Sequence, residues 1–161
     1  MAMPILSEEQ IKALIEERKL IPPQLHPLGT LTERSHHERK DFSFPAASGN
    51  EFLIFIRRSV LNMLDFSVVL GYQLPQLHSV FRLRRYNGKS HHHTNVLEKE
   101  TFYDFHIHTA TERYQRPGFR EDHFAITTNR YYDLQGAICC LLEDCGFRSP
   151  IEESPLFTGK I

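Results

Sequence analysis

His78-Ser79-Val80-Phe81-Arg82-Leu83-Arg84-Arg85-Tyr86 and Thr101-Phe102-Tyr103-Asp104-Phe105-His106-Ile107-His108-Thr109 are the two stretches that decide how this chain folds. Successive side chains of a strand point to opposite faces, so the first stretch divides into Phe81 and Leu83 on one side and Arg82, Arg84 and Tyr86 on the other. The second divides the same way, with Tyr103, Phe105 and Ile107 toward a core and Asp104, His106 and His108 away from it. Strands consecutive in the chain usually pair or lie close. That pairing predicts Arg82, Arg84, Tyr86, Asp104, His106 and His108 on one surface.

Working outward, Asp65 to Tyr72 alternates with Phe66, Val68, Leu70 and Tyr72 on one side. His36 to Phe44 and the apolar Phe52 to Ile56, joined by a turn of small residues from Pro45 to Asn50, read as a hairpin. Asn87-Gly88 is a turn signal, and the polar run Lys89 to Glu100 reads as an exposed loop. From Asn129 to Cys145, Leu134, Ile138, Leu141, Leu142 and Cys145 recur at helical spacing, with Gly146 as the stop. Near the start, Ser7-Glu8-Glu9-Gln10 has the form of a capping box, and Ile11, Leu14 and Ile15 follow at helical spacing to about Lys19. Pro22, Pro23, Pro27 and Gly29 then break the helix, and the segment after Pro150 reads as a short, weakly ordered end.

These patterns predict the α+β class: an antiparallel meander of four to five strands, a C-terminal helix packed on its Phe81, Leu83, Phe105 and Ile107 face, and an N-terminal helix. The length of 161 residues suits a single domain over 1–161, with 1–30 as a helical arm and connector. A composition of 40% hydrophobic and 24% charged residues is that of a globular protein and argues against disorder or a coiled coil. Met1 to Leu20 carries acidic residues where a signal peptide has an apolar core, and no apolar run approaches a membrane span, so the expected location is the cytoplasm, off the membrane. Cys139, Cys140 and Cys145 are odd in number and lack the spacing of a zinc knuckle, which excludes a disulfide framework and leaves buried thiols as the expectation. A net charge of −1 means that any affinity for nucleic acid must come from a local patch.

The shared surface supplies such a patch. Cleaving RNA without a metal needs a base for the 2′-hydroxyl proton, an acid for the leaving 5′-oxygen, and a cation for the charged phosphorane. Histidine suits the first two roles and arginine or lysine the third. The expected acid–base groups are His106 and His108, with His92 or His93 from the loop; Arg82, Arg84 and Lys89 are expected on phosphate, and Tyr86, Asp104 and Glu112 in support. No cofactor or metal is required on this reading. His106 and His108, two apart on one strand face, also fit a zinc or iron ligand set with Asp104 or a loop histidine, and the same face could grip a protein or nucleic acid without chemistry. Arg57 and Arg58 end an apolar strand and could meet phosphate, though solvated charge is the ordinary outcome at a strand end.

The words Phe81-Arg82-Leu83-Arg84-Arg85-Tyr86-Asn87-Gly88-Lys89-Ser90-His91-His92-His93 and Phe105-His106-Ile107-His108 resemble the FRYDN-x-x-HH and FPHHKH motifs of TumE-like toxins from prokaryotic toxin–antitoxin modules. The match touches Arg82, Tyr86, Asn87, His92, His93, His106 and His108 and leaves room for a sister family. The resemblance implies a ribonuclease, with RNA as substrate and a cognate antitoxin protein as partner.

Overall fold

Phe52, Ile54 and Ile56 alternate with half-buried neighbours, while the next strand hides Phe66, Val68, Leu70 and Tyr72 on the same face and buries Val69 and Gly71 on the other as well. A fully buried side chain of this kind contributes about 1.5–3 kcal/mol. The structure is a computed structural model that describes residues 3–25 and 31–150. Pro27 and Gly29 of the expected connector, and the tail after Pro150, lie outside the described residues.

The chain order is α1 (Glu8–Glu16), β1 (Lys19–Leu20), a 3-10 turn (Pro23–Leu25), β2 (Thr32–Arg34), β3 (His37–Pro45), β4 (Glu51–Ser59), β5 (Phe66–Gln73), β6 (Val80–Asn87), β7 (His93–Asn95), β8 (Glu100–Phe102), β9 (His106–Thr109), α2 (Glu112–Gln115), β10 (Ala125–Thr127), α3 (Leu134–Asp144) and β11 (Phe147–Arg148). Seven strands form one sheet in the order β10-β9-β6-β5-β4-β3-β2, every pairing antiparallel. The class is α+β as expected, with short edge strands β2 and β10 added to the meander. Among the described residues no helix is long and apolar enough to cross a membrane.

Both longer helices cover the same face of the sheet. Leu134, Ala137, Ile138 and Leu141 of α3 share one core cluster with Ile11 and Ile15 of α1 and with the inward residues of β4, β5 and β6. The capping box forms as expected: the Ser7 hydroxyl accepts from Gln10 N, and the Gln10 side chain accepts from Ser7 N. Yet α1 is no arm. Its C-terminal end meets that of α3, where the ammonium of Lys19 donates to Leu14 O, Ile15 O, Glu17 O and Cys145 O at 2.8–3.1 Å. Gly146 stops α3 at φ +77, and a Cβ there would lie 2.4 Å from Glu17 O, so the two helix ends need its bare backbone. β1 and β11 then pair in parallel. Cys140 and Cys145 are buried here, whereas Cys139 is exposed, contrary to expectation; all three are free thiols.

Three local departures change what the far face of the sheet carries. The polar run from Lys89 to Glu100 is not a simple loop: it begins with a close passage at Gly88, where a Cβ would sit 2.0 Å from Leu64 O, and its second half forms the β7–β8 hairpin. Thr101 to Thr109 is not one strand, because Tyr103 to Phe105 turns between β8 and β9 and leaves Tyr103 exposed. Finally, β6 contains a bulge. Leu70 pairs with Arg84 and Gly71 with Arg82, so Leu83 has no partner and the period of two slips by one residue.

Candidate functional site

The bulge decides which arginine faces the histidines. Beyond it, Arg84 and Tyr86 lie on the helix side: the Arg84 guanidinium stands 3.5 Å from the Asp144 carboxylate of α3, and the Tyr86 hydroxyl donates to that carboxylate at 2.7 Å. Arg84 is therefore not available to phosphate, and Tyr86 is a core residue. Arg85 and Asn87 take their place, paired with His108 and His106 across β9. Arg57, Ser67, Asn87 and His106 form one cross-strand row over β4, β5, β6 and β9, and Arg85 and His108 belong to the next.

The hairpin β7–β8 lies over the histidine end of these rows. The His93 ring stacks on His106 at 5.5 Å and meets His108 edge-on at 4.8 Å, with Phe102 against both His93 and His106 at 5.4 Å. Its clamp is Asn95, fully buried, whose amide imitates a strand partner. Nδ2 donates to Ala125 O at 2.8 Å and Oδ1 accepts from Ala125 N at 3.0 Å, which continues the β10 edge. Because Oδ1 is thereby the acceptor, the His93 Nε2 that lies 2.9 Å from it carries the proton.

The same logic fixes the other two rings. His106 Nδ1 is 2.7 Å from Asp104 O, and His108 Nδ1 is 2.8 Å from Asp122 O, and a carbonyl only accepts. Burial, reinforced for His108 by the Arg85 charge, lowers the pKa of His106 to about 4 and of His108 to about 2, and burial lowers that of His93 as well. All three are neutral at pH 7, with lone pairs on His93 Nδ1, His106 Nε2 and His108 Nε2. One ring nitrogen from each lies within 4.8 Å of the others, and among the described residues no other three His, Cys, Asp or Glu side chains gather this closely.

A cleft of about 270 Å³ opens beside the cluster, walled by Arg57, Ser67, Arg85, Asn87, His91, His93, His108, Arg120 and His123. Asp122, fully buried, takes Arg85 at 2.7 Å and Arg120 at 3.2 Å on its two oxygens, while Asp65 takes Arg57 at 2.8 Å. Three guanidiniums thus face two carboxylates, and the wall keeps a positive surplus. Three buried atoms here make no hydrogen bond, Arg85 Nε, Asn87 Oδ1 and Asp122 Oδ1, the last having only the ion pair to Arg120.

Of the residues expected from sequence, His93, His106 and His108 come together here, but His106 and His108 are buried beneath the hairpin, at 0% and 5% exposure, and not on the open face expected. His92 is outside, exposed, with its ring 4.9 Å from Tyr103, and Lys89 stands over that same tyrosine at 5.8 Å. Arg82 is exposed on the histidine side of the sheet but does not line the cleft. Asp104 serves through its backbone oxygen, its carboxylate being taken by Phe105 N. Glu112 opens α2 behind the capping Thr111, accepts from Glu8 N and pairs with Arg116, away from the cleft walls. Arg85, Asn95, Arg120, Asp122 and His123 escaped sequence reasoning, and Asn87 entered it only as a turn residue and through the resemblance; the one signal for Asn95, Arg120, Asp122 and His123 was polar residues in stretches too short on pattern to read as strands.

Compared with models of known families, with curated proteins and with solved structures, the chain matches none. The class of site therefore rests on its own geometry: neutral imidazoles gathered beside an arginine-lined cleft.

Proposed function

We propose that the cleft binds and cleaves a phosphodiester, with RNA as the substrate. The observation that supports this most is that Arg57, Arg85 and Arg120 share the walls of one cleft with His93 and His108. Guanidiniums match the geometry and charge of a phosphate, and Asp65 and Asp122 hold them in place before a ligand arrives. An uncharged imidazole supplies a lone pair but no acidic proton. His106 and His108, held so far below neutrality, are weak proton acceptors as well and do not form the metal-free acid–base pair expected from sequence; they place lone pairs beside the bound phosphate, where the nucleophile is the 2′-hydroxyl or a water. Exposed Tyr103, with His92 and Lys89 beside it, offers a flat surface on which an unpaired base can stack.

The test is a fluorescent single-stranded oligoribonucleotide incubated with purified protein, with and without added divalent metal, from pH 5 to 9. Cleavage is expected, and Arg57→Ala and Arg120→Ala should each raise KM about tenfold, the loss of one charge-assisted phosphate contact. Intact RNA under every condition, together with no salt-dependent binding by fluorescence anisotropy, refutes the reading. A single 2′-deoxy substitution at the cut site separates the two nucleophiles, because it stops attack by the 2′-hydroxyl and spares attack by water.

A further inference from the structure

We infer that the cluster is a metal centre, in which His93 through Nδ1 and His106 and His108 through Nε2 hold one divalent transition-metal ion, zinc or a first-row neighbour. This goes beyond RNA cleavage and stands without it, because it rests on the three rings alone. Neutral imidazole is the commonest protein ligand for such ions. A ligating histidine almost always donates its other ring N–H to a carbonyl or carboxylate, which fixes the tautomer and aims the lone pair. All three rings do so here, to Asn95 Oδ1, Asp104 O and Asp122 O.

Two further facts about the cluster call for an ion. No hydrogen bond joins the three rings, although one nitrogen of each lies within 4.8 Å of the others, and the one donor beside them is Asn87 Nδ2, at a long 3.3 Å from His106 Nε2. Asn87 is 6% exposed and has its Oδ1 buried without a donor. Three protein ligands leave a fourth position open, and a water bound there is the donor that Asn87 Oδ1 lacks. That position faces the cleft. Bonds of about 2.0–2.1 Å at tetrahedral angles place two ligand nitrogens about 3.4 Å apart, so binding draws in the widest edge of the cluster, at most 4.8 Å, by up to roughly 1.4 Å. His93 is the ring able to move, being half-buried and carried by the hairpin rather than the sheet.

The experiment uses the full chain without an affinity tag, stripped with chelator and titrated with Zn²⁺ by calorimetry and with Co²⁺ by visible absorption. One equivalent of either ion should bind, and Co²⁺ should give the strong d–d bands of a four-coordinate site. His93→Ala, which removes a ligand from the hairpin and leaves the sheet intact, should weaken binding at least 100-fold; His108→Ala should match it wherever circular dichroism shows a folded protein. His92→Ala, one residue away and outside the cluster, should bind as the parent does. Binding well below one equivalent overturns the inference, and so does equal weakening by His92→Ala and His93→Ala, which would mean loose capture by the surface histidines. Because no RNA is present, a metal that binds while RNA stays intact defeats only the cleavage reading, and metal-free protein that cleaves RNA but takes up no ion defeats only this one.

Discussion

Asn95→Ala tests the hairpin clamp on which the cluster depends. The parent amide satisfies Ala125 N, Ala125 O and His93 Nε2 in a place with no solvent. Left buried and unpaired, those three groups would cost roughly 3–9 kcal/mol at about 1–3 kcal/mol each. Two paired three-residue strands with an exposed outer side cannot offset that much. The hairpin should therefore lift and let water in, which limits the loss to the cost of undocking, about 2–4 kcal/mol. Hydrogen exchange measured by mass spectrometry should show residues 91–104 exchanging roughly 30- to 1,000-fold faster, the equivalent of that free energy, while β5 keeps its protection. Zinc affinity should fall about 10- to 100-fold, the usual effect of losing the outer partner of a ligating histidine. Unchanged protection over 91–104 would refute the clamp. Equal loss in β5 would show that Asn95 belongs to the global core instead.

Two predictions concern stability. Lys19→Met removes a buried ammonium, which burial lowers to about 8 and so leaves charged at pH 7, from carbonyls at the ends of α1 and α3. Relief of the buried charge offsets part of the lost bonding, and a net loss of about 2–4 kcal/mol, or roughly 4–16 °C in Tm, is expected by thermal melt; a melt within 1 °C of the parent would contradict the account of that junction. Asp144→Asn concerns acid. Burial by itself would raise the Asp144 carboxyl, but hydrogen bonds from Arg130 and Tyr86 and the charges of Arg130 and Arg84 outweigh it and hold the pKa below the ordinary carboxylate value. A depressed carboxylate stabilises the fold above its unfolded pKa of about 3.9 and loses that contribution as pH falls through the folded value. The parent should thus exceed the Asn variant in urea stability at pH 6 and converge with it below about pH 4; a gap that widens with acid would reverse the sign and defeat the argument.

How much of this was legible follows from where period-two patterning holds. β4 and β5 are regular, with large apolar residues inside at every second position, and α3 shows its apolar stripe between a capping Asp133 and a stopping Gly146. His106 and His108 were placed on one face by alternation around Ile107, although the two histidines are the buried residues and Ile107 is half-buried against the core, and the strand expected from Thr101 begins only at His106. Arg84 and Tyr86 were misassigned by one physical event. A bulge at Leu83 puts two neighbouring residues on the helix side, and Phe81, Leu83 and Tyr86 are all buried there, a spacing of two and then three. Tyr86 read as polar hid that step; taken as a core aromatic, it places Arg85 and Asn87 with the histidines.

The hairpin was invisible for a different reason. It is held by amide and imidazole hydrogen bonds rather than an apolar face, so hydrophobic periodicity carries no trace of it. The two hidden features act together. The bulge turns Arg85 toward β9, where Asp122 receives it and Asp122 O orients His108; the hairpin brings His93, and Asn95 orients that ring. A regular β6 would instead point Arg84 at the histidines and deprive Asp144 of one of its cations, leaving Asp122 without the partner that sits beside His108. The positions that break the local rule of alternation are therefore the ones that assemble the site, which is where departures from regular patterning are expected to gather.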